Sequence, residues 1–186
     1  ATEEALEEAI RRVKSGINTS EIGKVIEDTA KRFGFIPIHN LTGHSLARYT
    51  IHAGKSIPNI RTYTGFSLVE NEAYAIEPFF TTKRGTGLVV NGNIANIFSL
   101  INRKRSDNKE ADIISNEIWN RFKTLPFAIR WFKDYDPNYI KRMLNILIAK
   151  KIVRAYPILI ESNNEYVAQA EHTVIPLKNN VIITTL

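Results

Sequence analysis

The 186-residue sequence contains no cysteine, which excludes disulfide staples, thiolate zinc sites and cysteine nucleophiles together. It also has no apolar run near the roughly 18 residues that a membrane span requires. Glycine and proline are sparse, 9 and 7, and charged residues make up 24%, so the chain is neither a fibrous repeat nor a disordered tail. The opening Ala1-Thr2-Glu3-Glu4 is acidic and amphipathic, unlike a signal or transit peptide, and the expected location is the cytoplasm. Asn18-Thr19-Ser20 and Asn40-Leu41-Thr42 fit the glycosylation pattern but read instead as a helix cap and a turn. Histidine is scarce too: His39, His44, His52 and His172 are the whole supply. Metal chemistry in this chain must therefore draw on these four and on carboxylates.

What is present is an ordinary globular composition, 44% hydrophobic, enough to bury a core in one domain or one domain with an insertion. The charge is +6, from 25 basic and 19 acidic residues, and it is unevenly spread. Residues 102–154 hold 13 basic and 6 acidic residues, which leaves 12 and 13 for everything else. A solvated basic face and a ribosome or RNA contact each account for that excess.

The opening segment reads as two helices. Leu6, Ala9, Ile10 and Val13 recur at helical spacing, with Thr2 as a cap and Gly16 as the stop. Asn18 with Glu21 resembles a capping box for a second helix, whose buried stripe is Ile22, Val25, Ile26 and Phe33 and whose end is Gly34. Short β-branched and aromatic runs follow at 35–38, 47–53, 73–80, 88–90 and 94–100, with Thr42-Gly43 among the turns between them. Asn91-Gly92 predicts a hairpin between the last two. Beyond Asn102 the spacing predicts helices through Ile113–Phe122, from Pro126 through Trp131, and after Asp136-Pro137. Strand-like runs at 152–160 and 166–170 come next. Three helices and a hairpin make a winged-helix pattern. Val174-Ile175 and Val181–Ile183 close the chain as strands.

Three stretches carry side chains able to do chemistry: Asn40–His44 with Ile51–Gly54, Tyr74–Phe79, and Ala168–Thr173. A histidine and two glutamates without a thiol form a hard donor set suited to Mn, Fe, Co or Zn. Glu77 and Glu171 interrupt apolar strand sequence, where an unpaired carboxylate is expensive to bury. Either both point outward on half-buried strands, or they share a cation.

Read in order, NLTGH, IHAGK..PN, AIEPF and AQ.EHTV resemble the type II methionine aminopeptidases, archaeal ones in particular, over essentially the whole chain. A winged-helix-like insertion between the last two motifs agrees with that branch. The resemblance implies an α/β pita-bread fold, formed by two similar half-domains around a dinuclear site of divalent metal ions (Co, Mn, Fe or Zn). On this reading residues 1–101 and 155–186 are catalytic, and 102–154 is the insertion, its hairpin extending to about 170. By motif, His44 and Glu77 are ligands of one metal and Glu171 bridges both. His52 is catalytic, facing the scissile peptide and the tetrahedral intermediate, while Ile51 and Tyr156 match pocket-lining positions. The implied substrates are peptide or nascent-chain N-termini, with no membrane partner.

The match also has gaps. The family uses five ligands, and its two aspartates and a substrate-binding histidine belong to a first half-domain. Asp28 falls mid-helix, and Asp107, Asp112, Asp134 and Asp136 fall in the insertion. The implication is a C-terminal part lacking the first half-domain, with the N-terminal half of the same enzyme as its partner and little activity alone. Ala170 stands where the family usually has phenylalanine. Two other functions fit the same fold class: a binding module for ribosome or RNA, and an X-Pro aminopeptidase or prolidase.

Overall fold

The computed structural model describes residues 1–185. In chain order its main elements are α1 (Thr2–Ile10), α2 (Thr19–Phe33), β1 (Ile36–Pro37), β2 (Thr42–Leu46), β3 (Ser56–Pro58), β4 (Ala73–Ile76), β5 (Phe79–Thr81) and β6 (Val89–Leu100). They continue with α3 (Lys109–Phe122), β7 (Phe127–Ala128), α4 (Pro137–Ala149), β8 (Val153–Glu161), β9 (Val167–Gln169), β10 (His172–Pro176) and β11 (Val181–Ile183). The chain divides into two compact units, one made of Ala1–Val90 with the segment from Ile160 on, the other of Asn91–Leu159. Among the described residues no helix is long and apolar enough to cross a membrane.

In the first unit an antiparallel sheet runs β11-β10-β4-β2-β3, and a smaller one runs β1-β5-β9. Helices α1 and α2 supply Leu6, Ala9, Ile10, Ile22 and Ile26 to a core completed by Tyr74, Ile76, Leu68 and Val174. Asn18 caps α2 by accepting from the Ser20 amide, and Gly34 ends it in the left-handed region at φ 76°. Thr2 is not a cap: it is the first helical residue and is buried. Phe33, expected in the buried stripe of α2, lies exposed at its last turn.

Residues 47–53 do not form a strand. Ala47 and Thr50 exchange backbone hydrogen bonds across a tight turn with Tyr49 at φ 59°. The strand lies earlier, and it includes the Thr42-Gly43 pair expected to be a turn. Gly43 is there for space: a Cβ would stand 2.2 Å from the Ala75 carbonyl oxygen of the neighbouring strand.

In the second unit, α3 and α4 pack Ile114, Ile118, Ile140, Leu144 and Leu147 against Phe98, Leu100, Phe127 and Phe132. Its sheet has the order β7-β6-β8. The Asn91-Gly92 hairpin is absent because β6 runs straight through both residues, and neither has the positive φ that the turn demands. The helix expected from Pro126 is instead an extended pair, Phe127-Ala128, bonded to Phe98 and Ile97, followed by one 3-10 turn at Ile129–Trp131. The hairpin of 152–160 with 166–170 does not form either. Strand β8 joins β6, and β9 pairs with β5 in the first unit. Strand pairing here is decided by distant partners, which local turn chemistry does not report.

Two predictions follow from these contacts. Gly43→Ala must push β2 away from β4, and we expect a loss of about 1–3 kcal/mol in urea-denaturation stability. The second concerns Glu161, which is buried and accepts from the Thr86 hydroxyl at 2.7 Å, the Thr86 amide at 2.5 Å and the Asn163 amide at 2.7 Å. Burial pushes its carboxyl up, but these donors and the Glu165 amide outweigh it and hold the pKa at about 2, against a usual 4.5. The stabilisation is therefore complete above pH 4.5 and is lost as the pH falls toward 2. The urea midpoint of Glu161→Gln should lie below that of the parent at pH 7, with the gap closing between pH 4.5 and 2.

Candidate functional site

Two chain joints create the site. Strand β4 leaves the large sheet at Ile76 and enters the small one at Phe79, crossing Glu77-Pro78. Opposite it, β9 leaves the small sheet at Gln169 and β10 enters the large one at His172, crossing Ala170-Glu171. The registers on either side are Ile76↔His172 and Phe79↔Gln169, which agree with each other. Carried across the joint, they set Glu77 opposite Glu171 and Pro78 opposite Ala170. A hydrogen bond from the Ala170 amide to the Pro78 carbonyl, 3.3 Å, bridges the gap.

Alternation then sorts the faces. His44 pairs with Ala75, and Ala75 pairs with Thr173, so His44, Glu77, Glu171 and Thr173 share one side. His172 takes the other side, where its Nδ1 lies 3.0 Å from the Thr185 hydroxyl. The sequence-derived triplet thus lies on one face of the joint.

The contacts are specific. His44 Nε2 stands 3.1 Å from Glu77 Oε1, with both side chains largely shielded from solvent. The approach is not aligned for a hydrogen bond, which leaves Glu77 Oε1 a buried oxygen without a hydrogen-bond partner. His44 Nδ1 lies 3.3 Å from the Ser45 carbonyl. Donation from Nδ1 to that carbonyl reserves the Nε2 lone pair of neutral His44 for whatever occupies the Glu77 side. The Gln169 side-chain amide donates to Glu77 Oε2 and to Glu171 Oε2, 3.3 Å each. His52 is exposed and meets the His44 ring edge-on, with centroids 4.2 Å apart. A cleft of about 340 Å³ opens here, lined by Thr42, His44, His52, Gly54 and Lys55 among others.

Electrostatics follow from this crowding. Burial opposes charge on His44, but the Glu77 carboxylate beside it, helped by the Ser45 carbonyl and Glu171, raises its pKa overall. Burial, and then the neighbouring His44, lower that of His52. Glu171 is exposed as a residue, yet partial shielding of its carboxyl, and then the charge of Glu77, raise its pKa. Two carboxylates set opposite each other in a ladder repel, and a cation between them would relieve both that repulsion and the orphaned oxygen.

The donor chemistry fits a divalent cation: one imidazole nitrogen, carboxylate oxygens, and one of those oxygens buried without a partner. Among the described residues, however, no three His, Asp or Glu side chains already enclose a single point. His44 and Glu77 are in contact, whereas Glu171 reaches them through Gln169. Gln169 falls inside the AQ.EHTV motif, and its two-residue spacing from Glu171 is the sequence signal that sets the two on one face. Ile51 is half-buried on the turn before His52. Tyr156 lies on β8 in the second unit, its hydroxyl 3.0 Å from that of Ser99.

Comparison with known proteins agrees with the motifs. The chain is 40% identical over its whole length to the methionine aminopeptidase of Pyrococcus abyssi and 43% identical to that of Archaeoglobus fulgidus. It spans 63% and 62% of the lengths of those relatives. Among solved structures, a thermophilic Arx1 superposes with a TM-score of 0.76 at 18% identity, covering 98% of this chain and 54% of that one. A methionine aminopeptidase from Rickettsia prowazekii superposes at 0.60 and 18%, covering 100% and 50%. At such identities the superpositions establish the fold, which is the pita-bread architecture. The profile of metallopeptidase family M24 matches residues 1–101, more than half of the sequence, and the chain belongs to that family.

Proposed function

We propose that this chain contributes to a methionine aminopeptidase of the dinuclear-metal type, with unit one as its catalytic part and the segment around 102–154 as an inserted domain. The observation that carries the proposal is the joint itself. It sets Glu77 opposite Glu171, on the face that carries His44, and leaves a buried Glu77 oxygen unpartnered.

In this reading His44, Glu77 and Glu171 are the residues of this chain that would hold the ions. When bound, the ions supply Lewis-acid activation of a water and of the scissile carbonyl. The chain's own residues do the rest. The Ser45 carbonyl keeps the His44 ring oriented, and Gln169 holds the two carboxylates toward each other. His52, its pKa lowered by burial, can donate a ring N–H to a developing oxyanion in the adjoining cleft. The substrates are peptides or nascent chains presenting an N-terminal methionine. Completing the ligand set falls to residues in the part of the relatives that this chain does not span.

Two measurements test this. Calorimetric titration of the 186-residue chain with Mn²⁺ or Co²⁺ should show weak binding, reduced at least about tenfold in Glu77→Gln and in His44→Ala. Hydrolysis of Met-Ala-Ser should be near background for the chain alone and should rise when the remaining part is supplied. Cleavage of Ala-Pro in preference to Met-Ala-Ser would move the protein to the X-Pro branch. Full activity from the 186 residues alone would overturn the shared-site reading.

A further inference from the structure

The second unit carries an electrostatic feature that peptide hydrolysis leaves unused. Between the end of β6 and the start of α3, the run Arg103-Lys104-Arg105-Ser106-Asp107-Asn108-Lys109 holds four cations, all exposed. Among the described residues none of the four forms an ion pair. With Ser115 and Asn116 they line a cleft of about 570 Å³.

The nearby acids are mostly committed elsewhere. Asp107 pairs with Lys150 at 2.8 Å, and Asp112, which also borders the cleft and feels the charge of Arg105 without pairing with it, accepts from both the amide and the hydroxyl of Ser106. Glu110, exposed in the first turn of α3, is the remaining acid nearby.

The backbone under this run is fixed rather than loose. Ser106 is buried, its hydroxyl also donates to the Asn108 carbonyl, and Asn108 caps α3 by accepting from the Ala111 amide. The Arg103 guanidinium is held over the Trp119 indole at 4.4 Å, with Lys123 over the same ring at 4.8 Å. Cations already ordered lose less freedom when an anion arrives. Unpaired guanidinium and ammonium groups with a hydroxyl and an amide beside them, spread along a cleft rather than gathered at one point, match a chain of phosphodiesters better than a lone anion.

We propose that this cleft binds the phosphate backbone of a single-stranded nucleic acid, through Arg103, Lys104, Arg105 and Lys109 and without base-specific readout. The site is independent of the metal-ligand joint and does not rest on the peptidase reading.

The test uses the full chain and fluorescence anisotropy with labelled uridine and thymidine oligonucleotides of about 20 nucleotides, at ionic strengths from about 50 to 200 mM. The parent should bind both, with affinity falling steeply as salt rises. Replacing Arg103, Lys104, Arg105 and Lys109 by Gln should weaken binding at least tenfold at the lowest salt and reduce the log–log salt slope by about 2–3, near 0.7 for each lost contact. Lys104→Gln with Lys109→Gln, which leaves Arg103 on its indole, should show about half that change in slope. A control that neutralises four cations of unit one, Arg12, Lys14, Lys83 and Lys178, should shift the Kd by less than twofold.

Preference for uridine over thymidine would identify RNA as the source, and equal binding would identify the backbone alone; both support the site. Equal losses in the control and cluster variants would overturn it, as would no binding at the lowest salt. So would tighter, cluster-dependent binding to phosphatidylserine vesicles, which would make the surface a membrane contact.

Discussion

The arrangement of this molecule depends on one register. Because the ladders before and after the Glu77-Pro78 and Ala170-Glu171 joints share the same pairing, two acidic side chains face each other where the sheets meet. A shift of one residue in the β9–β10 strand would turn Glu171 away and bring His172 to the face that carries His44 and Glu77. Much of unit one bears on that register. Tyr74 and Ile76 anchor β4 in the core, Val174 anchors β10, and Gly43 allows β2 close enough to carry His44 alongside Glu77. Helices α1 and α2 contribute no side chain to the joint, yet they cover the sheet whose alignment brings His44 alongside Glu77.

The site is also built from opposed tendencies. Like charges confront each other, an imidazole is held more basic than usual beside a carboxylate, and a second imidazole is held less basic against the first. Groups whose ionisation is pushed in different directions within one cleft are characteristic of places where protons or metals are handled. The Ser45 carbonyl and the Gln169 amide are modest hydrogen-bonding partners, but they decide which atoms remain available.

Much of this was legible in the sequence, unevenly. His44, Glu77 and Glu171 stand out because polar groups interrupt apolar strand sequence in motifs of known order. The helical caps at Asn18 and Gly34 were equally readable, since they rest on interactions within a few residues. Failures came where distant partners overruled local chemistry. Asn91-Gly92 looks like a turn but is threaded through a twelve-residue strand, and Thr42-Gly43 looks like a turn but is a strand made glycine by crowding from Ala75. Residues 166–170 were assigned to β8 as a hairpin, whereas β9 belongs to β5. Nothing within the strand of Gln169 reveals that Glu77 lies within its reach.

The opposed glutamates also bear on how such a chain can change over generations. A substitution that neutralises Glu77 or Glu171 relieves repulsion at the joint, while the core beneath stays packed by apolar residues that take no part in it. Selection for a sturdy fold and selection for two acids at this joint therefore pull apart at these two positions. Losing either acid would cost the fold little, because the architecture rests on the core and not on the joint.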